Sequence, residues 1–299
     1  MQYLPPRRIA AIHDLSAVGR CALTVIMPTL SVMGYQIIPV PTALLSTHTG
    51  GFTGMHFRDL TEDMHAITEH FSRLDMRFGA IYTGFLGSEE QIESVTDFLN
   101  RFSELPDETG KRPLVLIDPV MGDDGVLYST YTKELALGMR RLSAHAEVLT
   151  PNLTEACLLT DTPFGDTERM TREETDAFLS NLLTRLSSDV APHAQIVITG
   201  VKLGNGEVAN YGASFDGSRF CVSLPHEGTS YPGTGDIFAS VLLGELMHGA
   251  SFENACRRAS EFVAHLIRAS ARIGAPTRMG VALEHYLYLL ADREKGGEF

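Results

Sequence analysis

The sequence predicts an α/β fold, a central and mostly parallel sheet flanked by helices. Three observations predict it. Short apolar runs recur along the chain and alternate with longer amphipathic segments, the order that βαβ units produce. Most of the runs are continuous rather than alternating, which suits strands buried on both faces. No repeat, low-complexity block or Pro/Ser-rich linker interrupts the pattern. One domain over residues 1–291 is therefore expected, with a tail over 292–299.

Each element follows from its own residues. RIAAIH (8–13) opens the sheet. YQIIPV (35–40), GAIYTG (79–84), PLVLID (113–118), AEVLT (146–150) and QIVITG (195–200) continue it. Helical spacing with a polar face marks 20–33, 58–73, 88–103, 131–143 and 171–187. The last third changes character. VANYGA (208–213) and RFCVSL (219–224) flank an Asp216-Gly217 turn and read as an antiparallel hairpin. The helix from about 235 to 248 is apolar nearly all round, so it should be buried. The next one carries Phe252, Ala255, Ala259, Phe262 and Leu266 at helical spacing.

Composition narrows the function. Lys+Arg number 24 and Asp+Glu 37, so the net charge is 24 − 37 = −13. That argues against a nucleic-acid or anionic-membrane binder, which would recruit basic patches. No stretch reaches the roughly 18 apolar residues of a membrane span, and the N-terminus lacks a signal-peptide core. Cys21, Cys157, Cys221 and Cys256 are far apart, as free thiols of a reducing compartment would be. A cytoplasmic protein is expected.

In parallel sheets, ligands bind beyond the carboxyl ends of the strands. Polar and glycine-rich residues follow every predicted strand, from Asp14 and Ser16 after the first to Thr150 and Asn152 after the fifth. The sharpest feature is Pro232-Gly233-Thr234-Gly235-Asp236, just before the apolar helix. Its glycines let backbone N–H groups approach an anion, and the helix N-terminus adds partial positive charge. Asp236 in the first turn then suits a general base for phosphoryl transfer. A capping Asp beside a tight turn is the alternative. Asp118 ends a strand, as a turn residue, a helix cap or part of an outer-sphere Mg²⁺ site. Asn152 and Glu155 fit either a capping box or an outer-sphere Mg²⁺ site. Walker A, G-x-G-x-x-G and H-E-x-x-H patterns are absent.

Taken together the loops resemble the ribokinase-like superfamily, and within it the pyridoxal/pyridoxine/pyridoxamine (vitamin B6) kinases. The matching pieces are SxxHTG from Ser46, TGFLGS from Thr83, DPVMGDDG from Asp118, TPNLTEA from Thr150, VITG from Val197 and PGTGD from Pro232. The resemblance implies a three-layer ribokinase-like fold and ATP-dependent phosphorylation of a vitamer's 5′-hydroxymethyl group. It implies Asp236 as the base and Gly233, Thr234 and Gly235 as the anion hole. Asp118 and Glu155 match positions near Mg–ATP. Thr150, Asn152 and Gly200 surround the nucleotide, with Lys202 just past them. Thr49, Gly50 and Phe85 face the substrate. Homodimers are typical of this branch. A monovalent cation requirement is left open.

The first loop departs from the family pattern. Asp14 stands where many of these kinases place a serine, and Ser16 follows. A carboxylate there would pair with a protonated ring nitrogen or an amine, or else cap the following helix. Two rivals stand beside the vitamer kinase: a hydroxymethylpyrimidine or other small-molecule kinase of this superfamily, and a non-catalytic vitamer- or nucleotide-binding protein. The loop from His226 to Tyr231 is a candidate cover over ATP. With few basic residues in the matched loops, the −13 charge predicts a phosphate site that leans on divalent metal.

Overall fold

The computed structural model describes residues 6–128 and 131–291; the expected tail at 292–299 lies outside them. In chain order the elements are β1 (Arg8–Val18), α1 (Leu23–Val32), β2 (Gln36–Thr47), β3 (Phe57–Asp59), α2 (Thr61–Arg73), β4 (Ala80–Thr83), α3 (Glu89–Phe102), β5 (Leu114–Ile117), β6 (Gly122–Asp123) and β7 (Val126–Leu127). They continue as α4 (Lys133–Ser143), β8 (Val148–Leu149), α5 (Leu153–Leu159), α6 (Arg172–Arg185), β9 (Gln195–Lys202), β10 (Glu207–Ala213), β11 (Arg219–Pro225), α7 (Thr234–Met247), α8 (Phe252–Arg272) and α9 (Tyr288–Ala291).

Among the described residues, nine strands form one sheet in the order β11-β10-β9-β8-β5-β4-β1-β2-β3. The pairs from β9 to β2 are parallel, and only the outer strands run antiparallel. The expected three-layer α/β architecture is what forms. Its continuous apolar runs have a direct cause. In β1, Ile9 and Ala11 enter one core while Ala10 and Ile12 enter the other. Helices α2 to α6 cover the first face, and α1, α7 and α8 cover the second. Helix α7 sits in the latter core through Ile237, Val241, Leu242 and Leu243, which is why it reads as apolar all round.

Three local expectations need correction. Strands β1 and β2 run on to Val18 and Thr47, past the predicted ends. Leu15, Ser16 and Val18 keep pairing with Leu44, Leu45 and Thr47 after a register shift at Asp14. Asp14 and Ser16 are therefore strand residues, not loop residues. The helix expected from 58 begins at Thr61, because Phe57–Asp59 pairs with β2 and the Asp59 carboxylate accepts the Thr61 N–H at 2.8 Å. The segment after β5 is not a plain loop. Asp124 and Gly125 take positive φ of 47° and 79° and close the small β6–β7 hairpin, as a type I′ turn does.

Gly233 fixes how α7 begins. Its φ is 79°, and a Cβ there would lie 1.9 Å from the Arg20 carbonyl oxygen. Both the backbone conformation and the close approach demand glycine. Gly233→Ala is expected to destabilise the fold by about 2 kcal/mol or more, as backbone strain plus a backbone clash would. Chemical denaturation against wild type measures it, and an unchanged midpoint would contradict this account of the turn.

Candidate active site

The strand ends are tied to one another. Gly84 N–H donates to the Ile12 carbonyl, Asp118 to Thr83, Thr150 to Ile117 and Thr199 to Pro151. The segments after β1, β4, β5, β8 and β9 thus share one edge, and a cleft of about 860 Å³ runs along it. Every residue that the resemblance assigns to substrate, nucleotide, metal or catalysis lines this cleft. Strand order sorts them. Asp14, Ser16, Thr49, Gly50 and Phe85 come from the β4-β1-β2 side. Thr150, Asn152, Gly200 and Lys202 come from the β8-β9 side, with Asp118 between.

Asp236 enters from α7, three residues past Gly233, which is the N-cap. It is not the cap itself, and the helix has no side-chain cap at all. Its first-turn N–H groups are left to a ligand, backed by the helix dipole. One carboxylate oxygen of Asp236 accepts the Ala22 N–H at 2.8 Å. Ala22 holds a positive φ of 49° to present it, a strained arrangement of the kind found at functional sites. Asp236 touches the cleft but is crowded by protein on every other side. That loss of hydration lifts its pKa to about 7; the Ala22 N–H opposes the shift and Asp14 adds to it.

Asp118 and Glu155 are both buried. Burial pushes each well above the carboxylate range, and each is raised further by a neighbouring acid, Asp236 for Asp118 and Asp118 for Glu155. The capping box is present. Asn152 Oδ1 accepts the Glu155 N–H at 2.9 Å, and Glu155 Oε2 accepts the Asn152 N–H at 2.8 Å. Glu155 Oε1 also accepts the Met121 N–H at 3.1 Å. The donor set suits magnesium. It offers oxygen only, and no cluster of three or more His, Cys, Asp or Glu able to hold an ion occurs among the described residues, so most coordination would be left to water.

The sequence pointed less clearly to other cleft residues. His48 was visible in the HTG motif, but its role was not. Its Nδ1 accepts the Gly50 N–H at 3.0 Å, so Nε2 carries the proton and donates to the Arg278 carbonyl at 2.7 Å. This fixes the Thr49–Gly50 turn against the C-terminal segment. Cys21 also lines the cleft, and all four cysteines are free. His13 is buried, and burial lowers its pKa to about 3, so it stays neutral. Lys202 pairs with Asp124 at 2.7 Å. Within the loop 226–231, Glu227 pairs with Arg268 at 2.8 Å and Tyr231 is buried.

Comparison with known proteins points to kinases of small heterocyclic alcohols. The profile of the phosphomethylpyrimidine kinase family matches residues 26–280. A pyridoxine/pyridoxal/pyridoxamine kinase of Bordetella avium is 27% identical over 270 residues, covering 85% of this chain and 82% of that one. A Bacteroides thetaiotaomicron protein provisionally assigned as a phosphomethylpyrimidine kinase, crystallised with pyridoxal, superposes with a TM-score of 0.85 at 38% identity over 98% of both chains. The pyridoxal kinase of Lactobacillus plantarum gives 0.84 at 28% identity, covering 95% of this chain and 96% of that one.

The raised acids make stability depend on pH. A carboxyl whose folded pKa exceeds its unfolded value contributes stability that is complete below about pH 4 and lost as pH rises through the folded pKa. Asp118→Asn is therefore expected to stabilise the ligand-free protein at pH 8 by at least about 1 kcal/mol, one pKa unit's worth. The gain should shrink as pH falls. Thermal unfolding of both proteins from pH 5 to 8 tests it. A variant less stable than wild type at pH 8 would contradict the assignment.

Proposed function

Because the chain belongs to the phosphomethylpyrimidine kinase family, we propose that it uses ATP to phosphorylate the 5′-hydroxymethyl group of a vitamin B6 vitamer. Membership makes it a phosphotransferase with an alcohol acceptor. The vitamer is the finer reading, supported by the similarity to the pyridoxal-bound Bacteroides protein and the Bordetella kinase. The observation that carries the reading is Asp236: a carboxylate anchored through one oxygen, with a near-neutral pKa, at the rim of an uncapped helix N-terminus.

The residues divide the work along the cleft. Asp236 takes the proton from the acceptor hydroxyl as the oxygen attacks the terminal phosphoryl group. A base with a pKa near the working pH is suited to that exchange. The N–H groups from Gly233 to Gly235 and the dipole of α7 meet the charge on the transferring phosphoryl group. The β4-β1-β2 side, with Thr49, Gly50 and Phe85, holds the acceptor ring. The β8-β9 side, with Thr150, Asn152, Gly200 and Lys202, holds the nucleotide. Asp118 and Glu155 would hold Mg²⁺, which supplies charge neutralisation for the phosphates. The loop 226–231 lines the same cleft and serves as its cover.

A second reading, a hydroxymethylpyrimidine as acceptor, has the family description in its favour. Steady-state kinetics with the three vitamers and the pyrimidine, followed by ADP release, separates the two. The vitamers should show the higher kcat/KM, and turnover of the pyrimidine alone would overturn the proposal. For the base, Asp236→Asn should lower kcat by roughly 10² to 10⁴-fold while nucleotide affinity, read by calorimetry, stays within about threefold. Near wild-type turnover would remove Asp236 from its role.

A further inference from the structure

Asp14 is a buried carboxylate that forms no salt bridge among the described residues. The register shift between His13 and Leu15 lies at its position in β1, and its side chain lines the cleft. It caps no helix, since α1 begins at Leu23 behind an Ala22 N-cap without a side-chain bond. Its one side-chain partner is the Ser16 hydroxyl, which donates to Oδ2 at 2.8 Å. The chargeable groups facing it are three. His48, just past β2, has both ring nitrogens engaged by backbone groups, Gly50 N–H and the Arg278 carbonyl. Cys21, before α1, is a thiol that burial and the acids Asp236 and Asp14 push upward. Asp236, on α7, has the same sign of charge.

A carboxylate kept from water needs a partner or a proton. Here the protein supplies a hydroxyl and no salt bridge, beside an acid of like charge. We infer that Asp14 is the counter-charge for a cationic nitrogen of the acceptor, so that the cleft selects a protonated basic heterocycle or its aminomethyl group over a neutral ring. This inference rests on the acceptor being such a heterocycle. The cation can come from the ring nitrogen or from the exocyclic amine, and the two are separable. The pH behaviour follows. Burial raises Asp14 above the usual carboxylate range, with Ser16 and His48 pulling the other way. The pair is lost at low pH as Asp14 takes a proton, and at high pH as the ligand gives one up. Affinity should pass through a maximum.

The test is binding rather than turnover. Calorimetry on the full chain would compare pyridoxine, pyridoxamine and a carbocyclic pyridoxine analogue with CH in place of the ring nitrogen. Wild type, Asp14→Asn and Asp14→Ser would each be titrated from pH 6 to 9, after unfolding curves establish that the variants fold. Wild type should bind pyridoxine roughly ten- to a hundredfold more tightly than the carbocycle, the range of a charged hydrogen bond. Both variants should erase that gap and flatten the alkaline limb. If the amine is the partner, the gap between pyridoxamine and pyridoxine closes instead. Equal weakening of all three ligands, or a wild type that does not distinguish them or binds none, would overturn the inference. Tight, charge-dependent binding without phosphorylation would count against the kinase reading alone.

Discussion

Asp14, Asp118, Glu155 and Asp236 lie along one edge of the sheet, drawn out of water, and the hydrogen bonds to Asp14, Glu155 and Asp236 come from a serine hydroxyl and backbone N–H groups. No lysine or arginine among the described residues pairs with any of them. Buried acids without cations repel one another and lift one another's pKa values. The surrounding structure manages that strain through main-chain dipoles. Ala22 accepts a strained conformation to give its N–H to Asp236, and Gly233 accepts a left-handed one to start α7 at the right place. The apolar length of α7 in the second core then holds the helix N-terminus in position.

The same arrangement answers the puzzle set by a net charge of −13 in a kinase. Lys202, the basic residue nearest the matched motifs, is already engaged with Asp124. On the proposed function, phosphate recognition would fall to N–H groups at a helix start and to a divalent ion held by oxygen ligands. Acids that destabilise the empty protein become useful once positive charge arrives. With Asp118 in its proposed role, stability and activity would pull in opposite directions there, the usual trade at a built site.

Much of this was legible in the sequence. The continuous apolar runs announced a sheet buried on both faces, and every motif reached the cleft through at least one residue, because strand ends and glycine-rich turns are local signals. What stayed hidden depended on partners distant in the chain. The extension of β1 through Asp14 needs Leu44, Leu45 and Thr47 across from it. The edge strand Phe57–Asp59 needs β2, and without it those residues extend a helical pattern. His48 sits in a visible motif, yet its ring is held by the Arg278 carbonyl, far along the chain. For Asn152 and Glu155, spacing left two readings open. The capping box is present, and it leaves the carboxylate facing the same cleft.

The central claim is that buried carboxylates repel a phosphate ligand until a divalent ion offsets them. Calorimetric titration of ATP into the protein at pH 8, with Mg²⁺ and with a chelator, tests it most directly. The account predicts at least roughly tenfold weaker binding without the metal, about 1.4 kcal/mol, and recovery of much of that loss in Asp118→Asn, which removes one of the repelling charges. Equal affinity in the two conditions for wild type would contradict it.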